Sequence, residues 1–305
     1  MVQLTVTRRR IAIAAGIAAA GVLGWVLLTG SETAPAQAAA CRLPPTSGPH
    51  AGMVLIPAGT FAMGDTLYPE EGPVREVSVR SFWMDRTEVT NAEFAAFVKA
   101  TGHVTTAEQP GRKGAAVFVM PSGSANLSSL TSWWRYVEGA NWRQPGGPET
   151  SIEGRENYPV VAISFEDAQA YARWKGRKLP TEEQWERASL GSRTTPPEHE
   201  QPRGANTWQG MFPLIDTAED GHAGISPVGC FQPNDLGLHD MIGNVWELTA
   251  TTYAGHAPKA QVIKGGSFLC APNYCMRYRP GARQPQESDL GTSHVGFRTI
   301  LEEPN

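Results

Sequence analysis

Two cysteines near the C-terminus, Cys270 and Cys275, are the residues of this chain best suited to chemistry. Four residues separate them, which is close enough for both sulfur atoms to face one point. Four basic residues flank the pair: Lys264, Arg277, Arg279 and Arg283. Nearby positive charge favours the thiolate over the thiol, and the thiolate is both the reactive form and the metal ligand. The pair is therefore a candidate redox or metal centre.

The metal that suits such a pair is a soft one. Two thiolates without a neighbouring histidine favour Cu(I). A zinc site needs about two further ligands, and no second cluster of cysteine or histidine supplies them. Spacing alone leaves two other interpretations open: a short structural disulfide, which exported proteins commonly use, and a catalytic dithiol of another kind.

A second group of candidate ligands lies in two loop-like segments, residues 192–228 and 235–249. The first segment contains Asn206, Asp216, Glu219 and Asp220, whose side chains carry oxygen donors. Ca²⁺ takes about six to eight oxygen ligands from side chains and carbonyls, so such loops could wrap calcium. Ordinary turn residues would give the same composition, and no EF-hand, Gly-x-Ser-x-Gly or phosphate-loop motif is present.

The composition describes a globular chain with a real core. The chain has 305 residues, of which 41% are hydrophobic, and a formal net charge of -4. That charge disfavours nucleic acid as the main partner, because nucleic-acid binding needs a basic face. Nine tryptophans indicate either a groove lined with rigid aromatic surfaces or a well-filled core. No internal repeat and no linker after Ala51 are visible, so we predict one domain over residues 52–303.

Residues 1–40 have the pattern of an export signal. A basic region at residues 8–10 precedes an apolar run at residues 11–28 and a small, polar stretch at residues 31–40. The apolar run, about 18 residues long, is at the lower limit for a membrane span. A retained signal anchor with its basic end inside is therefore the alternative. Either way, the folded part is expected outside the cytoplasm.

Residues 41–51 are predicted to be a linker, rich in proline, glycine and serine. Cys41 at its start is a candidate lipid attachment point. Since cysteines tend to pair outside the cytoplasm, Cys41 and Cys230 could also pair with each other, or both could stay free.

The elements that position these residues are predicted from short-range patterns. Capping boxes, in which two side chains three residues apart satisfy each other's backbone N–H, mark three helix starts: Thr90 with Glu93, Ser164 with Asp167, and Thr181 with Gln184. The helices should end near Gly102, Gly176 and Gly191. Strands are predicted in five places: two over Met53–Gly64, one over Glu76–Asp85, one over Tyr158–Ser164, and closing strands in residues 261–268 and 293–300. Residues 105–157 lack periodicity and are expected to be irregular.

Several stretches together resemble the formylglycine-generating enzymes of the sulfatase-modifying factor family. The resemblance covers nearly everything from Met53 to Leu301. The pieces run in family order: MVLIPAGTFAMGD, DRTEVTNAEFAAFV, WWRYVEGANWRQPGGP, YPVVAISFEDAQAYARWKGRKLPTEEQWERAS, ANTWQG, DLGLHDMIGNVWELT, KGGSFLCAPNYCMRYRPGAR and GFR. PTEEQWERAS and GNVWELT mark only the wider superfamily, whereas GGSFLCAPNYCMRYR is specific because it keeps both active-site cysteines.

The resemblance implies a fold and an activity. The fold is α+β, of the formylglycine-generating-enzyme type related to C-type lectins, with little regular secondary structure and long loops. The family binds an extended Cys-x-Pro-x-Arg segment of an unfolded or nascent sulfatase and oxidises its cysteine to Cα-formylglycine with O₂. Cys270 and Cys275 would hold Cu(I), which supplies one-electron chemistry that side chains lack.

The resemblance also assigns roles to individual residues. Ser267 and Tyr274 would hydrogen-bond to oxygen species beside the cysteines, and Trp246 would shield the copper. Two structural calcium sites are implied: Asn206 and Asp220 with the carbonyls of Thr207 and His222, and Asp240 and Glu247 with the carbonyls of Gly243 and Val245. Four residues are expected to line the peptide groove: Trp133, Trp134, Trp142 and Arg143.

The chain departs from the family pattern at several positions. Secretory-pathway members have structural disulfides where this chain has residues such as Ala172 and Thr299, and His294 stands where some members have asparagine. The missing disulfides favour a bacterial exported enzyme, periplasmic or otherwise extracytoplasmic. It would be monomeric and would touch the membrane only through residues 11–28.

Two other functions fit the scaffold less well. A non-catalytic peptide- or glycan-binding module is the main alternative, but such modules usually lack the cysteine pair. An iron-dependent sulfoxide synthase would need a histidine cluster, usually on an added helical bundle, and the chain has no such bundle.

Overall fold

The computed structural model of the protein describes Cys41, Ser129 and residues 47–121, 132–190, 201–256 and 259–302. Within those residues, no helix is long and apolar enough to cross a bilayer. The predicted signal or anchor at residues 1–40 and much of the predicted linker lie outside them.

In the described part of the chain, the three helices begin where the capping boxes predict them. α1 spans Asn91–Thr101, α2 spans Phe165–Trp174 and α3 spans Glu182–Ser189. In each helix the N-cap side chain and the side chain three residues later satisfy each other's backbone N–H. α1 ends at Gly102, whose left-handed φ of 68° lets its N–H bond the carbonyl of Val98. The helix predictions are confirmed.

Eleven short strands form four small sheets among the described residues. They are β1 (Met53–Ile56), β2 (Gly59–Met63), β3 (Arg75–Val79), β4 (Phe82–Asp85), β5 (Gly114–Phe118), β6 (Trp134–Glu138), β7 (Trp246–Thr252), β8 (Ala260–Lys264), β9 (Gln284–Glu287), β10 (Val295–Gly296) and β11 (Ile300–Leu301). The strand orders are β1-β4-β11 and β10-β7-β8-β9, with two separate pairs, β2-β3 and β5-β6. β10 runs parallel to β7 with Val295 opposite Trp246, and the other pairings are antiparallel. The α+β class is as predicted.

The single strand predicted over Glu76–Asp85 is wrong. The chain breaks at Arg80 and Ser81 into β3 and β4, which belong to different sheets. β3 pairs with β2, while β4 lies between β1 and β11. A run of β-forming residues predicts extended backbone, but it does not show where the chain leaves one sheet and enters another.

The strand predicted over Tyr158–Ser164 is also wrong, although residues 159–164 are buried. Pro159 lacks an N–H, and Ala162 has a left-handed φ of 56°, so the backbone cannot form a continuous ladder. Instead, Val160 N–H donates to Val89 O and Ala162 N–H donates to Thr292 O. The segment is a buried connector between separate elements.

The irregular stretch predicted over residues 105–157 contains an antiparallel pair. β5 and β6 pair with Ala116 opposite Tyr136. The loop predicted over residues 235–249 likewise ends in β7. The closing segments are shorter than predicted, because β8 stops at Lys264 and the second segment is divided between β10 and β11.

Most of the tryptophan belongs to the core. Among the described residues, five indoles are buried: Trp133, Trp142, Trp185, Trp208 and Trp246. Trp142 and Trp246 share a hydrophobic cluster with Cys270, Phe94 and Phe297. The cysteine loop is therefore packed onto the main core, although its neighbouring backbone is irregular.

Cys41 and Cys230 form a disulfide. Cys41 is buried, and its carbonyl accepts a hydrogen bond of 3.3 Å from Asn157 Nδ2. Since its sulfur is in the disulfide, Cys41 is not a lipid attachment point in this structure. The bond ties the first described residue to the loop that precedes β7.

We expect the double variant C41S/C230S to lose about 2–5 kcal/mol of unfolding free energy, because the bond joins residues 189 positions apart and so restricts the unfolded chain. The matched variant C270S/C275S removes a bond across only 5 positions and should lose less. Urea unfolding without reductant measures both losses. Equal losses, or no loss in C41S/C230S, would contradict a structural role for the Cys41–Cys230 bond.

Candidate functional site

The cysteine loop begins at a glycine pair that follows β8. Gly265 and Gly266 have left-handed φ values of 94° and 76°. A Cβ on Gly265 would lie 3.1 Å from Trp185 Cζ2, and one on Gly266 would lie 3.2 Å from Arg277 O. Both positions therefore require glycine. The turn directs the chain from the buried strand toward the cysteines.

Cys270 and Cys275 form a disulfide across a tight turn. Ala271 and Tyr274 exchange backbone hydrogen bonds of 2.8 and 2.9 Å. Cys270 is buried, whereas Cys275 is half-buried. Cys275 and Met276 have left-handed φ values of 78° and 48°, a conformation that non-glycine residues seldom adopt and that often marks functional sites.

The pair lies in a cleft of about 450 Å³. All five residues assigned a catalytic role by resemblance line it: Cys270, Cys275, Ser267, Tyr274 and Trp246. Trp134, His294, Tyr68, Arg277 and the β9 residues Gln284 and Gln286 also contribute to the lining. The structure thus brings the predicted catalytic set together, while the individual roles stay predictions.

Only one of the four flanking basic residues lines the cleft. Lys264 Nζ lies 2.9 Å from Glu186 Oε2, Arg279 is paired with Asp65 and Glu71, and Arg283 lies 3.0 Å from Glu182. Arg277 lines the cleft, with its guanidinium 2.5 Å from Glu70 and 4.1 Å from the centre of the Tyr68 ring. All four basic residues are therefore paired with acids, and Arg277 is the one of them that lines the cleft.

A loop between β2 and β3 forms one wall of the cleft. Tyr68 stands on it, and ion pairs from Asp65, Glu70 and Glu71 to Arg277 and Arg279 hold it in place. Our sequence analysis missed this wall. The signal in the sequence is the opposite charge of two groups, the acidic residues within 65–71 and the arginines after Cys275. These groups lie more than 200 positions apart, so their pairing was not predictable.

His294 is a neutral wall of the same cleft. Burial lowers the pKa of its imidazole to about 3. Its Nδ1 lies 3.1 Å from Thr292 Oγ1, and its ring centre lies 4.6 Å from that of Trp134. An uncharged imidazole next to the cysteines can donate or accept a hydrogen bond, but it adds no charge.

The predicted groove residues do not share one surface. Trp134 lines the cysteine cleft, while Trp133 is buried and packs against Tyr274. Trp142 and Arg143 line a different cavity, of about 710 Å³. Arg143 stacks over Trp142 at 4.2 Å and pairs with Glu108 at 2.5 Å. Trp142 and Arg143 therefore do not line the cleft that holds the cysteines.

The first predicted calcium group is assembled around Asp220. Its carboxylate accepts the N–H groups of Thr207 at 3.2 Å and His222 at 2.9 Å. Burial raises the pKa of this carboxyl. The Asn206 amide donates to Gly224 O and to Asn244 Oδ1. The four residues meet in one place, and their role as calcium ligands stays a prediction.

The second predicted group is assembled differently from the prediction. Both carboxylate oxygens of Glu247 are engaged: Oε1 by Arg298 Nη2 at 2.6 Å, and Oε2 by Arg298 Nε and Trp185 Nε1 at 2.7 Å. Asp240 Oδ2 accepts the N–H of Gly229 at 2.7 Å, but Asp240 Oδ1 is buried without a donor. Glu247 is thus a partner of Arg298, and its role as a calcium ligand stays a prediction.

Glu88 is a further acid at this place that our sequence analysis missed. Its Oε1 accepts a hydrogen bond of 3.0 Å from Asn244 Nδ2, while its Oε2 is buried without a donor. Burial, and after it the charge of Asp240, raises the pKa of Glu88. Burial also raises the pKa of Asp240 to about 6. Glu88 therefore lies beside Asp240, with Arg298 Nη2 3.9 Å from Glu88 Oε2, and either a shared proton or a cation would offset the repulsion between the two carboxylates.

A conventional metal cluster is not preformed in the described residues, where no group of three or more His, Cys, Asp or Glu side chains is arranged to hold an ion. Any cation at Asp240 and Glu88 would therefore need carbonyl oxygens to complete its shell.

The raised pKa of Asp240 predicts a pH dependence of the metal-free protein. Because the folded-state pKa, about 6, exceeds the unfolded value, the stability linked to this group is present at low pH and is lost as pH rises from about 4 to about 6. Between these pH values, the unfolding free energy of D240N should fall by about 1–3 kcal/mol less than that of wild type. Urea unfolding at a series of pH values in a calcium chelator measures it.

The control for this series is D289N, which removes a surface carboxylate that is 49% exposed. It should keep the wild-type pH profile. Added Ca²⁺ at neutral pH should stabilise wild type more than D240N, since the ion would offset the buried charge. Identical pH profiles for wild type and D240N would contradict the prediction.

Comparisons with known proteins point to one family. Residues 40–303 match the model of a sulfatase-modifying factor enzyme 1-like domain. A formylglycine-generating enzyme of Mycobacterium tuberculosis is 45% identical over 82% of this chain and 97% of its own length. An inactive C-alpha-formylglycine-generating enzyme 2 of Bos taurus is 40% identical over 83% of this chain and 88% of its own. Overall identity thus does not separate active from inactive relatives. Whether this chain is catalytic has to be argued from the residues of the cysteine cleft.

The fold has a solved counterpart. The structure of PvdO from Pseudomonas aeruginosa superposes with a TM-score of 0.59 over 86% of this chain and all of that one. The two sequences are 24% identical, so this likeness bears on the fold alone.

Proposed function

Because the chain belongs to the sulfatase-modifying factor enzyme 1-like family, we propose that it converts the cysteine of a Cys-x-Pro-x-Arg segment in a sulfatase polypeptide to Cα-formylglycine. The observation that carries the proposal is the cysteine pair in an open cleft, surrounded by Ser267, Tyr274 and Trp246. A purely binding module would have no need of two adjacent sulfurs there. We infer the substrate class from the formylglycine-generating relatives.

The donor set of the cleft fits Cu(I). Two sulfurs lie side by side, and the other lining residues supply no carboxylate and one imidazole, that of His294, which the sequence did not predict there. Soft ligands select this ion. Cys270 and Cys275 would hold it after their disulfide is cleaved, a step in which an external dithiol gives up two electrons and two protons. When bound, copper supplies the one-electron chemistry that activation of O₂ requires.

The protein's own groups set the environment of the reaction. Trp246, 2% exposed, closes the cleft from the β7 side, and Ser267 is fully buried behind the cysteines. The Ser267 hydroxyl accepts an N–H from Leu269 at 3.3 Å and so keeps its own proton to donate. Arg277 lines the cleft as an ion pair with Glu70. The Tyr274 hydroxyl would hydrogen-bond to reacting oxygen.

The electron count fixes what an assay must contain. Turning CH₂–SH into an aldehyde withdraws two electrons from the substrate carbon, whereas complete reduction of O₂ takes four. An added thiol must supply the remaining two and also keep Cys270 and Cys275 reduced. The sulfur leaves as sulfide.

Calcium and location complete the proposal. Calcium at Asp220, or at Asp240 with Glu88, would neutralise buried carboxylates and hold loops that lack a regular ladder. The Cys41–Cys230 disulfide supports a site of action outside the cytoplasm, where such bonds persist. The partner is an unfolded sulfatase segment, which must be extended to reach the sulfurs.

The test is turnover of a synthetic Cys-x-Pro-x-Arg peptide by the full chain with Cu(I), O₂ and a thiol. Mass spectrometry should show the change from thiol to aldehyde, and C275S should reduce it to background because one sulfur cannot replace two. The matched control is C41S/C230S, which removes the other cysteine pair and should retain turnover while folded.

Two results would contradict the proposal. One is an unmodified peptide that nevertheless binds to the copper-loaded protein, which would favour a non-catalytic module like the inactive relative. The other is equal turnover by wild type and C275S.

A further inference from the structure

Two large apolar side chains stand exposed on one turn beside the cysteine cleft. Met211 is 58% exposed and Ile215 is 56% exposed. The N–H groups of Leu214 and Ile215 both donate to the carbonyl of Met211 at 2.9 Å. The second bond closes a turn that brings the backbones of Met211 and Ile215 together, so the two exposed side chains stand next to each other on the surface.

The turn is fixed to the loop that carries the cysteines. The ring of Phe212 stacks on that of Tyr274, with ring centres 4.0 Å apart and planes at 7°. The amide of Asn273, between the two cysteines, accepts the N–H of Phe212 at 3.4 Å and donates to its carbonyl at 3.0 Å. These contacts make the position of the turn relative to the cleft a fixed feature of the site.

Trp208 braces the turn from the other side. Its backbone N–H donates to Cys270 O at 3.0 Å, and its indole N–H donates to Ile215 O at 2.8 Å. One residue thus connects the end of the turn to the first cysteine. These contacts fix the turn in place, and yet the side chains of Met211 and Ile215 stay exposed. No other part of the described chain buries them.

Adjacent exposed apolar side chains usually mark an interaction surface, whereas single ones do not. Val104 and Leu55, 54% and 46% exposed, are examples of the second kind. Three acidic residues follow the turn directly: Asp216, Glu219 and Asp220. Their charge disfavours an anionic bilayer as the occupant and leaves a polypeptide as the better one.

We propose that Met211 to Ile215, here called the apolar shelf, binds an apolar side chain of the substrate polypeptide near the cysteine that enters the cleft. This inference rests on the proposed function. The shelf adjoins the wall of the cleft, because Phe212 stacks on Tyr274 and Tyr274 lines the cleft.

The proposed occupant also suits the state of the substrate. An unfolded polypeptide exposes its apolar side chains, whereas a folded one buries them. The shelf would therefore favour unfolded clients that carry an apolar residue beside the motif, and it would add affinity without touching the reacting atoms.

The experiment compares peptides that share the Cys-x-Pro-x-Arg core and carry either leucine or serine at each flanking position in turn. At one position, wild type should turn over the leucine peptide with a kcat/KM about three- to tenfold higher than that of the serine peptide. The two peptides should differ in KM and not in kcat. The variant M211S/I215S should lose that preference. V104S, an exposed apolar residue outside the cleft lining, is the matched control and should keep it.

A second measurement separates the shelf from the reaction. Fluorescence anisotropy of the labelled peptides with the copper-free full chain reports binding without turnover. A leucine preference in Kd that M211S/I215S loses, with no turnover by any protein, would support the shelf and defeat the proposed function. Normal turnover with no leucine preference in wild type, or with one that M211S/I215S keeps, would overturn the shelf.

Sedimentation tests the remaining occupant, a second copy of this chain. Wild type should sediment as M211S/I215S does. A wild-type dimer that the variant abolishes, without any leucine preference, would assign the surface to self-association and overturn the proposal. Circular dichroism and urea unfolding of both variants exclude misfolding as the cause of a lost preference.

Discussion

The buried guanidinium of Arg298 is the interaction on which the site region depends. Arg298 is fully buried and pairs with both oxygens of Glu247. It also donates to the carbonyls of Asp85, Arg86 and His239. One side chain thus connects the end of β4, the segment before Asp240 and the start of β7. Removing Arg298 would leave Glu247 buried without its charged partner, which costs about 3–5 kcal/mol.

The position of the cleft follows from this contact. Glu247 adjoins Trp246 in β7, and Arg298 lies two residues after β10. β10 runs parallel to β7 with Val295 opposite Trp246, so His294 is brought to the same cleft as Trp246. On the other side of β7, β8 leads through the glycine pair to the cysteines. Two walls and the sulfurs are therefore set by strands that the Arg298–Glu247 pair holds together.

How much the sequence could predict depends on the range of the interactions. The helices were predictable because a capping box is complete within four residues, as with Thr90 and Glu93. The cysteine pair was predictable for the same reason. Strand errors arose where pairing was decided elsewhere, as at Arg80 and in the segment that contains Ala162. Tyr68 was missed because the ion pairs that hold its loop come from residues far along the chain.

The same distinction applies to the charged residues near the site. Sequence proximity suggested that four basic side chains activate the cysteines, but all four face acids contributed by α3 or by the loop before β3. Glu247 was expected to bind calcium, and the structure adds Arg298 as a partner of its carboxylate. In each case the sequence identifies the charged side chain, but only the tertiary structure determines which residue it pairs with.

The proposed copper site of two sulfurs alone is tested most directly by copper K-edge X-ray absorption of the reduced protein loaded with one equivalent of Cu(I). We expect a first shell of two sulfur donors, lost in C270S/C275S and kept in C41S/C230S. A nitrogen donor in that shell, which His294 is placed to provide, or a shell unchanged by C270S/C275S would contradict it.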